Sequence, residues 1–172
     1  MIKKVIVLAD SPFHLLLASA LSDSLLNDKV LILWINKKPK FLSDNFYLKF
    51  NFKFIDCSKN TFFNININKK LNSFLSKNKF DLIFTFYDTN FVFEYIKSKL
   101  KLNWSKVGVI DDGIASLFPV SMPKLYRRVP KAMFNFFFHK FPVNLQKLSL
   151  GGNKKIKLFA SIYGKYLYNH AK

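Results

Sequence analysis

Short runs of consecutive apolar residues, separated by polar turns, recur through the first two thirds of the chain. The first is Val-Ile-Val-Leu at residues 5–8, and similar runs occur at residues 29–35, 81–86 and 106–110; residues 52–56, in which Lys53 interrupts the apolar residues, are predicted to be a further strand. The first two runs lack the strict alternation of a half-exposed strand. Because strands that are covered on both faces are continuously apolar, each run is predicted to be a buried parallel strand.

Helices are predicted between these strands. Ser11 is a suitable N-cap and Pro12 a suitable first helical residue, so a helix is expected directly after the first strand. A second helix is expected over residues 91–100, with Val92, Tyr95 and Ile96 on its apolar face, and a short helix within residues 64–78. The core face of the first helix is predicted to comprise Phe13, Leu16, Leu17, Ala20 and Leu21.

The alternation of strands and helices predicts an α/β fold, with a Rossmann-like, doubly wound and mostly parallel sheet. Binding sites in such sheets lie beyond the carboxyl ends of the strands. Three polar turns follow predicted strands, at residues 10–14, 87–90 and 111–113. We expect the three turns to lie along one edge of the sheet and to contain the functional residues.

The pattern changes beyond residue 116, where prolines separate basic and aromatic segments. A Rossmann-like domain is predicted over residues 1–118, and a basic, aromatic and mostly helical extension over residues 119–172. Residues 155–168 are compatible with a strand or an amphipathic helix. Residues 127–141 have the composition of an interfacial membrane anchor, or of an aromatic core or domain-interface helix.

The composition is that of a folded protein with an unusual charge. Half of the 172 residues are hydrophobic and 17% are aromatic, which argues against disorder despite the net charge of +18. Arg127 and Arg128 are the two arginines among 28 basic residues, so lysine supplies most of the charge. Lysine is less suited than arginine to bidentate phosphate contacts, so a compositional bias, an anionic membrane surface or an acidic glycan explains the charge better than nucleic acid.

Cys57 is the single cysteine, which excludes an internal disulfide and a multi-cysteine zinc site; it is expected to fill apolar space at a strand end. The first apolar run is too short for a signal peptide, and no run approaches the roughly 18 residues of a membrane span. A cytoplasmic protein, peripheral at most to the inner membrane, is the prediction.

Asp111, Asp112 and Gly113 follow the last of the predicted strands. Glycine allows a tight turn, and one of two adjacent carboxylates can accept a proton from a sugar hydroxyl. Repulsion between the two carboxylates would raise the proton affinity of one of them, as a general base near neutral pH requires. The same tripeptide is also common in turns that have no catalytic role.

The first turn places Ser11 and His14 at the start of a helix, where backbone N–H groups favour an anion. The turn could therefore hold a carboxylate or a phosphate. The alternative is that Ser11 is only a cap and His14 only a packed histidine. Asp88 and Asn90 are ambiguous in the same way, between substrate contact and helix capping.

Residues 11–16, Ser-Pro-Phe-His-Leu-Leu, followed by a small residue at Ala18, resemble the opening strand-turn-helix of bacterial lipooligosaccharide and capsule sialyltransferases. Residues 110–113, Ile-Asp-Asp-Gly, resemble the acidic-acidic-glycine motif of several bacterial sialyltransferase families. The resemblance covers residues 1–116. It implies that the chain is the acceptor-side, Rossmann-like half of a GT-B glycosyltransferase.

The resemblance implies an inverting, metal-independent transfer of sialic acid from CMP-sialic acid to a galactose or related sugar at the end of a surface glycan, glycolipid or lipooligosaccharide. Asp111 would be the general base and Asp112 would support it, with no cofactor other than the donor. The residues that would contact substrate are Ser11, Pro12, His14, Asp88, Asn90 and Gly113.

One departure from the family concerns its His-Pro motif, which binds the nucleotide phosphate. His14, His139 and His170 are followed by leucine, lysine and alanine. The chain is therefore expected to be a partial enzyme with little or no transfer activity by itself. The alternative function is a non-catalytic basic α/β module that binds acidic glycan, lipid or RNA; a nucleotide-binding regulatory domain has no glycine-rich phosphate motif to support it.

Overall fold

The computed structural model describes residues 4–25, 29–37, 49–56, 65–86, 91–110, 133, 156 and 158–160, with the backbone alone at 65–68, 91 and 159. Within these ranges the strands are β1 Val5–Ala9, β2 Val30–Trp34, β3 Phe52–Phe54, β4 Leu82–Thr85, β5 Val107–Ile110 and β6 Leu158–Ala160. The helices are α1 Pro12–Ser24, α2 Ile65–Lys77 and α3 Phe91–Lys99, with a 3₁₀ turn at Trp104–Lys106.

All neighbouring strands are parallel, and they are arranged in the order β3-β2-β1-β4-β5-β6. The chain first builds the sheet outward from β1 to β3, then returns to the other side of β1 and builds outward again. This is the strand order of a Rossmann-like fold, so the predicted α/β fold class is confirmed. The direction of winding reverses between β1 and β4, which makes the carboxyl ends of these two strands the switch point of the sheet.

Helices cover both faces of the sheet. On one face, Leu71 of α2 and Phe93 of α3 pack with residues of the central strands such as Ile83. On the other face, Leu15 and Ala18 of α1 pack in a second cluster of strand residues. Right-handed connections that wind in opposite directions from the switch point must lie on opposite faces, which explains the doubly wound arrangement.

Tyr95 joins the two helices of the first face. Its hydroxyl donates a hydrogen bond to Oδ1 of Asn72 at 2.6 Å, which connects α3 to α2. Burial raises the pKa of Tyr95, and the hydrogen bond to Asn72 partly opposes that increase. The neutral phenol is therefore the form that the folded protein favours.

The predicted strands agree with the structure to within two residues at either end. The helix predicted within residues 64–78 was expected to be short. It corresponds to α2, which extends over 13 residues. β6 lies within residues 155–168, which were predicted to form a strand or an amphipathic helix. It pairs with β5 in the main sheet. The proposed division after residue 118 stays a prediction, since residues 111–132 lie outside the described ranges.

The predicted core face of α1 is wrong. Phe13 and Leu16 are 45% and 64% exposed, Ala20 is also exposed, and Leu17 and Leu21 are only partly buried. The buried face instead consists of His14, Leu15, Ala18, Ser19 and Ser22. Its small residues allow α1 to lie close to the sheet, and the Ser19 hydroxyl bonds to the carbonyl of Leu15 within the helix, which makes its burial inexpensive.

The described helices give no evidence of a membrane span, because none is both long and hydrophobic enough to cross a bilayer.

Candidate functional site

Three strands end at the same level beside the switch point. Val7 pairs with Phe84 and Thr85 pairs with Val109, so Ala9 and Ile110 both lie level with Phe86. The two strands that flank β4 are about 10 Å apart, twice the spacing of neighbouring strands. The residues that follow β1, β4 and β5 in the chain therefore leave the sheet from one short section of its carboxyl edge, the edge at which the strands end.

The turn after β1 begins α1 in the predicted way. Ser11 has an extended backbone, and its hydroxyl oxygen accepts a hydrogen bond from the backbone N–H of His14 at 3.1 Å. Pro12 occupies the first turn of the helix, where a missing N–H costs nothing. The cap fixes the direction in which the helix leaves the sheet, and it brings His14 over the end of β4.

His14 and Asp10 form a close side-chain pair. Nδ1 of His14 lies 2.5 Å from Oδ1 of Asp10; the histidine side chain is 4% exposed and the aspartate side chain 29%. An ionised carboxylate only accepts hydrogen bonds, so Nδ1 is the nitrogen that carries the hydrogen. In a neutral ring this leaves Nε2 as a hydrogen-bond acceptor, with its orientation fixed by Asp10.

Phe86 also holds the imidazole of His14 in place, by stacking on the face of the imidazole ring. The His14 and Phe86 rings are stacked, with centroids 3.9 Å apart and an interplanar angle of 6°. Phe86 follows β4 directly and is buried. The contact therefore joins α1 to β4 across the switch point, and together with the Asp10 bond it holds the ring in one position.

The turn after β2 holds the backbone of Asp10. The side-chain amide of Asn36 donates to the Asp10 carbonyl at 2.9 Å, and the N–H of Ile35 donates to the carbonyl of Ala9 at 2.9 Å. Trp34 completes the turn through its indole N–H, which donates to the Lys37 carbonyl at 2.8 Å. These bonds restrict the position from which the Asp10 carboxylate extends.

This arrangement suits acid-base and hydrogen-bond chemistry. A partly exposed carboxylate orients an imidazole beside the N-terminus of a helix, whose N–H groups favour negative charge. Such a pair can bind a hydroxyl group, and the carboxylate-imidazole combination is common where protons are transferred. Within the described ranges, no three His, Cys, Asp or Glu side chains come together as a candidate set of metal ligands.

The structure brings together Ser11, Pro12 and His14 of the predicted site residues. The other predicted positions lie outside the described residues: Cys57, Asp88, Asn90, Asp111, Asp112, Gly113 and the segment 127–141. The sequence placed Asp10 in the turn without giving it a partner. It also gave no role to Phe86 or Asn36, although each follows a strand at the carboxyl edge.

Comparison with protein-family models finds none that matches this chain, and comparison with curated proteins also finds no match.

Proposed function

We propose that this chain is the acceptor-side unit of a sialyltransferase-like glycosyltransferase. It would act in the transfer of sialic acid from CMP-sialic acid to the terminal sugar of a surface glycan or lipooligosaccharide. The observation that supports the proposal best is the Asp10–His14 pair, which lies at the switch point of a Rossmann-like sheet with its ring held by Phe86. Such a position is where this fold binds its ligands.

The Asp10–His14 pair is suited to hold a sugar hydroxyl. Asp10 has a partly exposed carboxylate that can accept a hydrogen bond from a sugar, while His14 keeps the carboxylate in place from its buried side. Ser11 and Pro12 would shape the turn against the acceptor. Specific sugar recognition needs polar groups with fixed directions, and the contacts from Phe86 and Asn36 supply that rigidity.

Asp111 is the proposed general base, supported by Asp112, with Gly113 allowing a tight turn. Asp111 follows Ile110 in the chain, and Ile110 lies level with Phe86, which stacks on His14. In the proposed reaction the acceptor oxygen forms a bond to the anomeric carbon of sialic acid, and the bond from that carbon to the phosphate breaks. CMP leaves with the electron pair, and the acceptor proton passes to the Asp111 carboxylate.

The remaining assignments follow from the same proposal. Asp88 and Asn90 come soon after β4 in the chain and would contribute polar contacts to the substrate. The reaction would need no metal ion or further cofactor. The protein would act in the cytoplasm, at the inner face of the membrane where lipid-linked glycans are extended.

The first test is acceptor binding. The purified chain is titrated with a lactose-ended oligosaccharide and, as a matched control, with a maltose-ended one, and binding is followed by saturation-transfer NMR. The unaltered chain is expected to bind the lactose-ended acceptor, and Asp10→Ala should weaken that binding by about tenfold, the usual effect of losing a charged hydrogen-bond partner. Equal signals from the two sugars, or no signal, would contradict the proposal.

The second test separates binding from chemistry. Asp111→Asn keeps the size of the side chain but removes the base. In a two-domain enzyme that also carries the nucleotide-binding half, acceptor binding should stay within about twofold while transfer from CMP-sialic acid is lost. Thermal unfolding of the same variant checks that the fold is intact. If Asp111→Asn lowers stability and leaves transfer unchanged, residue 111 is a turn residue and not a base.

The alternative, a binding module without chemistry, makes a different binding prediction for Asp10→Ala and predicts no transfer for Asp111→Asn to abolish. Changes at Asp10 and Asp111 would then leave ligand binding unaltered, because the lysines would carry the recognition.

A further inference from the structure

Lysines are concentrated at the amino edge of the sheet, the edge at which the strands begin. Lys4, Lys29 and Lys106 immediately precede β1, β2 and β5. Val5 pairs with Val30, which places Lys4 and Lys29 side by side at the ends of neighbouring strands. Lys79 lies three residues before β4 on the same edge.

The helices add further lysines to this edge. In a parallel α/β sheet each helix runs opposite to the strands, so the C-termini of α2 and α3 lie where strands begin. Lys77 is the last residue of α2, Lys99 is the last residue of α3, and Lys101 follows it. Apart from Lys49, which precedes β3 and pairs with Asp23, the exposed lysines of the amino edge are therefore Lys4, Lys77, Lys79, Lys99, Lys101 and Lys106.

Acidic groups offset only a small part of this charge. Asp81 is exposed at the same edge and accepts a hydrogen bond from the backbone N–H of Lys4 at 3.0 Å. Asp23, in the last turn of α1, forms an ion pair with Lys49 at 3.5 Å, so these two charges offset each other. Among the described residues, the six exposed lysines thus outnumber the carboxylates that lie near them.

Lys101 occupies a position where lysine is unusual. Its φ of 53° lies in the left-handed region, which favours glycine. The backbone N–H of Leu102 donates a hydrogen bond to the carbonyl of Lys97, and the N–H of Lys101 donates to the carbonyl of Ser98. This is the hydrogen-bond pattern of a helix that ends with glycine. The chain therefore has a lysine at the amino edge where the backbone conformation favours a residue without a side chain.

We propose that the amino edge is a docking surface for an anionic phospholipid membrane. Lysines on several different elements form one broad, exposed surface, and such a surface is attracted by a layer of negative headgroups through charge alone. The proposal concerns the edge opposite to the candidate site; it assigns a surface to the membrane location of the proposed function, but its test involves neither a sugar nor a transfer reaction.

The aromatic side chain at this edge favours a membrane over RNA. Binding of single-stranded RNA uses exposed aromatic rings as platforms for bases. Trp104 is half-buried; Lys97 Nζ lies 4.4 Å from the centroid of its ring, and the ring of Phe93 packs against it at 6.0 Å. With its ring contacted by Lys97 and Phe93, half-buried Trp104 is poorly suited to serve as a stacking platform for bases. None of the described residues of the edge is arginine, the residue best suited to phosphate forks in RNA.

The test compares two variants that each lose four lysines. The edge variant changes Lys77, Lys79, Lys101 and Lys106 to Gln, and the control variant changes Lys37, Lys53, Lys69 and Lys70, which are exposed elsewhere. Both lose the same charge. Partition of each full chain is measured by co-sedimentation with vesicles of phosphatidylcholine alone, and with vesicles that contain about one third phosphatidylglycerol.

The unaltered chain is expected to bind the anionic vesicles and not the neutral ones. The edge variant should bind at least about tenfold more weakly, and the control variant within about threefold of the unaltered chain, since charge acts over about one Debye length. Unchanged binding by the edge variant would overturn the proposal and point to another surface, such as residues 127–141. Equal losses in both variants would overturn it in favour of total charge.

Two further outcomes also contradict the proposal. One is the failure of the unaltered chain to bind anionic vesicles at low salt. The other is binding of a uridine oligonucleotide that the edge variant loses while vesicle binding is absent, which would assign the surface to RNA. Circular dichroism and thermal unfolding of both variants exclude misfolding as the cause of any loss.

Discussion

The two edges of the sheet carry polar residues in opposite ways. At the carboxyl edge, Asp10 and His14 are paired at 2.5 Å and the imidazole is stacked on Phe86. At the amino edge, the lysines are exposed and belong to separate elements, so each acts largely alone. The first arrangement suits recognition of one ligand in one orientation. The second suits attraction to an extended surface that has no fixed geometry.

The direction of the strands explains why the edges differ. Helices that connect parallel strands begin at the carboxyl edge and end at the amino edge, so their partial charges are positive at the first and negative at the second. Asp10 therefore lies beside a helix N-terminus, and Lys77 and Lys99 end helices. The same lysines that are proposed to meet a membrane also stabilise the helix ends.

The largest expected difference between the edges comes from the ring that supports His14. Phe86→Ala removes the stacked partner of a buried imidazole and leaves a cavity, so the free energy of unfolding should fall by about 3–5 kcal/mol. Lys77→Ala at the amino edge should change it by about 0.5 kcal/mol or less. Urea unfolding monitored by circular dichroism measures the free energy of unfolding of both variants. Similar decreases in the two variants would contradict the expected difference between the edges.

A comparison of two carboxylates gives the next largest effect. Asp10→Ala removes the carboxylate that bonds to Nδ1 of the buried His14 and should lower the free energy of unfolding by about 1–3 kcal/mol. Asp81→Ala removes an exposed carboxylate from the backbone N–H of Lys4 and should cost less than about 1 kcal/mol. If Asp81→Ala lowers the free energy of unfolding more than Asp10→Ala does, the polar residues of the carboxyl edge do not contribute more to stability than those of the amino edge.

Tyr95 lies at neither edge. Its hydroxyl therefore shows how much a part-buried hydrogen bond away from both edges contributes to the free energy of unfolding. Tyr95→Phe removes the hydrogen bond to Asn72 and should lower the free energy of unfolding at neutral pH by about 1 kcal/mol.

The pH dependence of the same variant has a defined sign. Because the pKa of Tyr95 is raised above its ordinary value of 10.0, its contribution is fully present below pH 10.0 and is lost as the pH rises further. The unaltered protein should therefore lose stability more steeply above that pH than Tyr95→Phe, as measured by unfolding at a series of alkaline pH values. Parallel curves would show that this phenol does not titrate as its burial predicts.

The smallest expected effect has the opposite sign. Lys101→Gly relieves a left-handed backbone conformation and should raise the free energy of unfolding by up to about 1 kcal/mol. Lys101→Ala removes the same charge without relieving the backbone and serves as the control in the same denaturation measurement. A loss of stability in the glycine variant would show that the lysine side chain contributes more than its conformation costs.

The fold was largely predictable because parallel strands and their crossover helices have strong local signals. Continuous apolar runs marked β1, β2, β4 and β5, and Ser11 with Pro12 marked the start of α1. The buried face of α1 was not predictable in this way. Phe13 and Leu16, two of the large apolar side chains of α1, are exposed, because close approach of the helix to the sheet depends on small residues and on the position of His14.

The contacts of the candidate site depend on strand order, which local patterns do not reveal. Phe86 lies 72 residues after His14 in the chain, and the two meet because β4 pairs with β1. Asn36 reaches Asp10 for the similar reason that β2 pairs with β1 on its other side. The roles of Asp88, Asn90, Asp111, Asp112 and Gly113 stay predictions, to be tested by the variants described above.

The length of the central strand sets a distance that the acceptor would have to span. β1 has five residues, and at roughly 3.3 Å per residue the two edges are about 17 Å apart. An enzyme that rested on lipid headgroups through its first strand residues would hold its chemistry at that height above the bilayer. On the two proposals above, the candidate site would therefore meet sugars that extend away from the headgroups rather than the headgroups themselves.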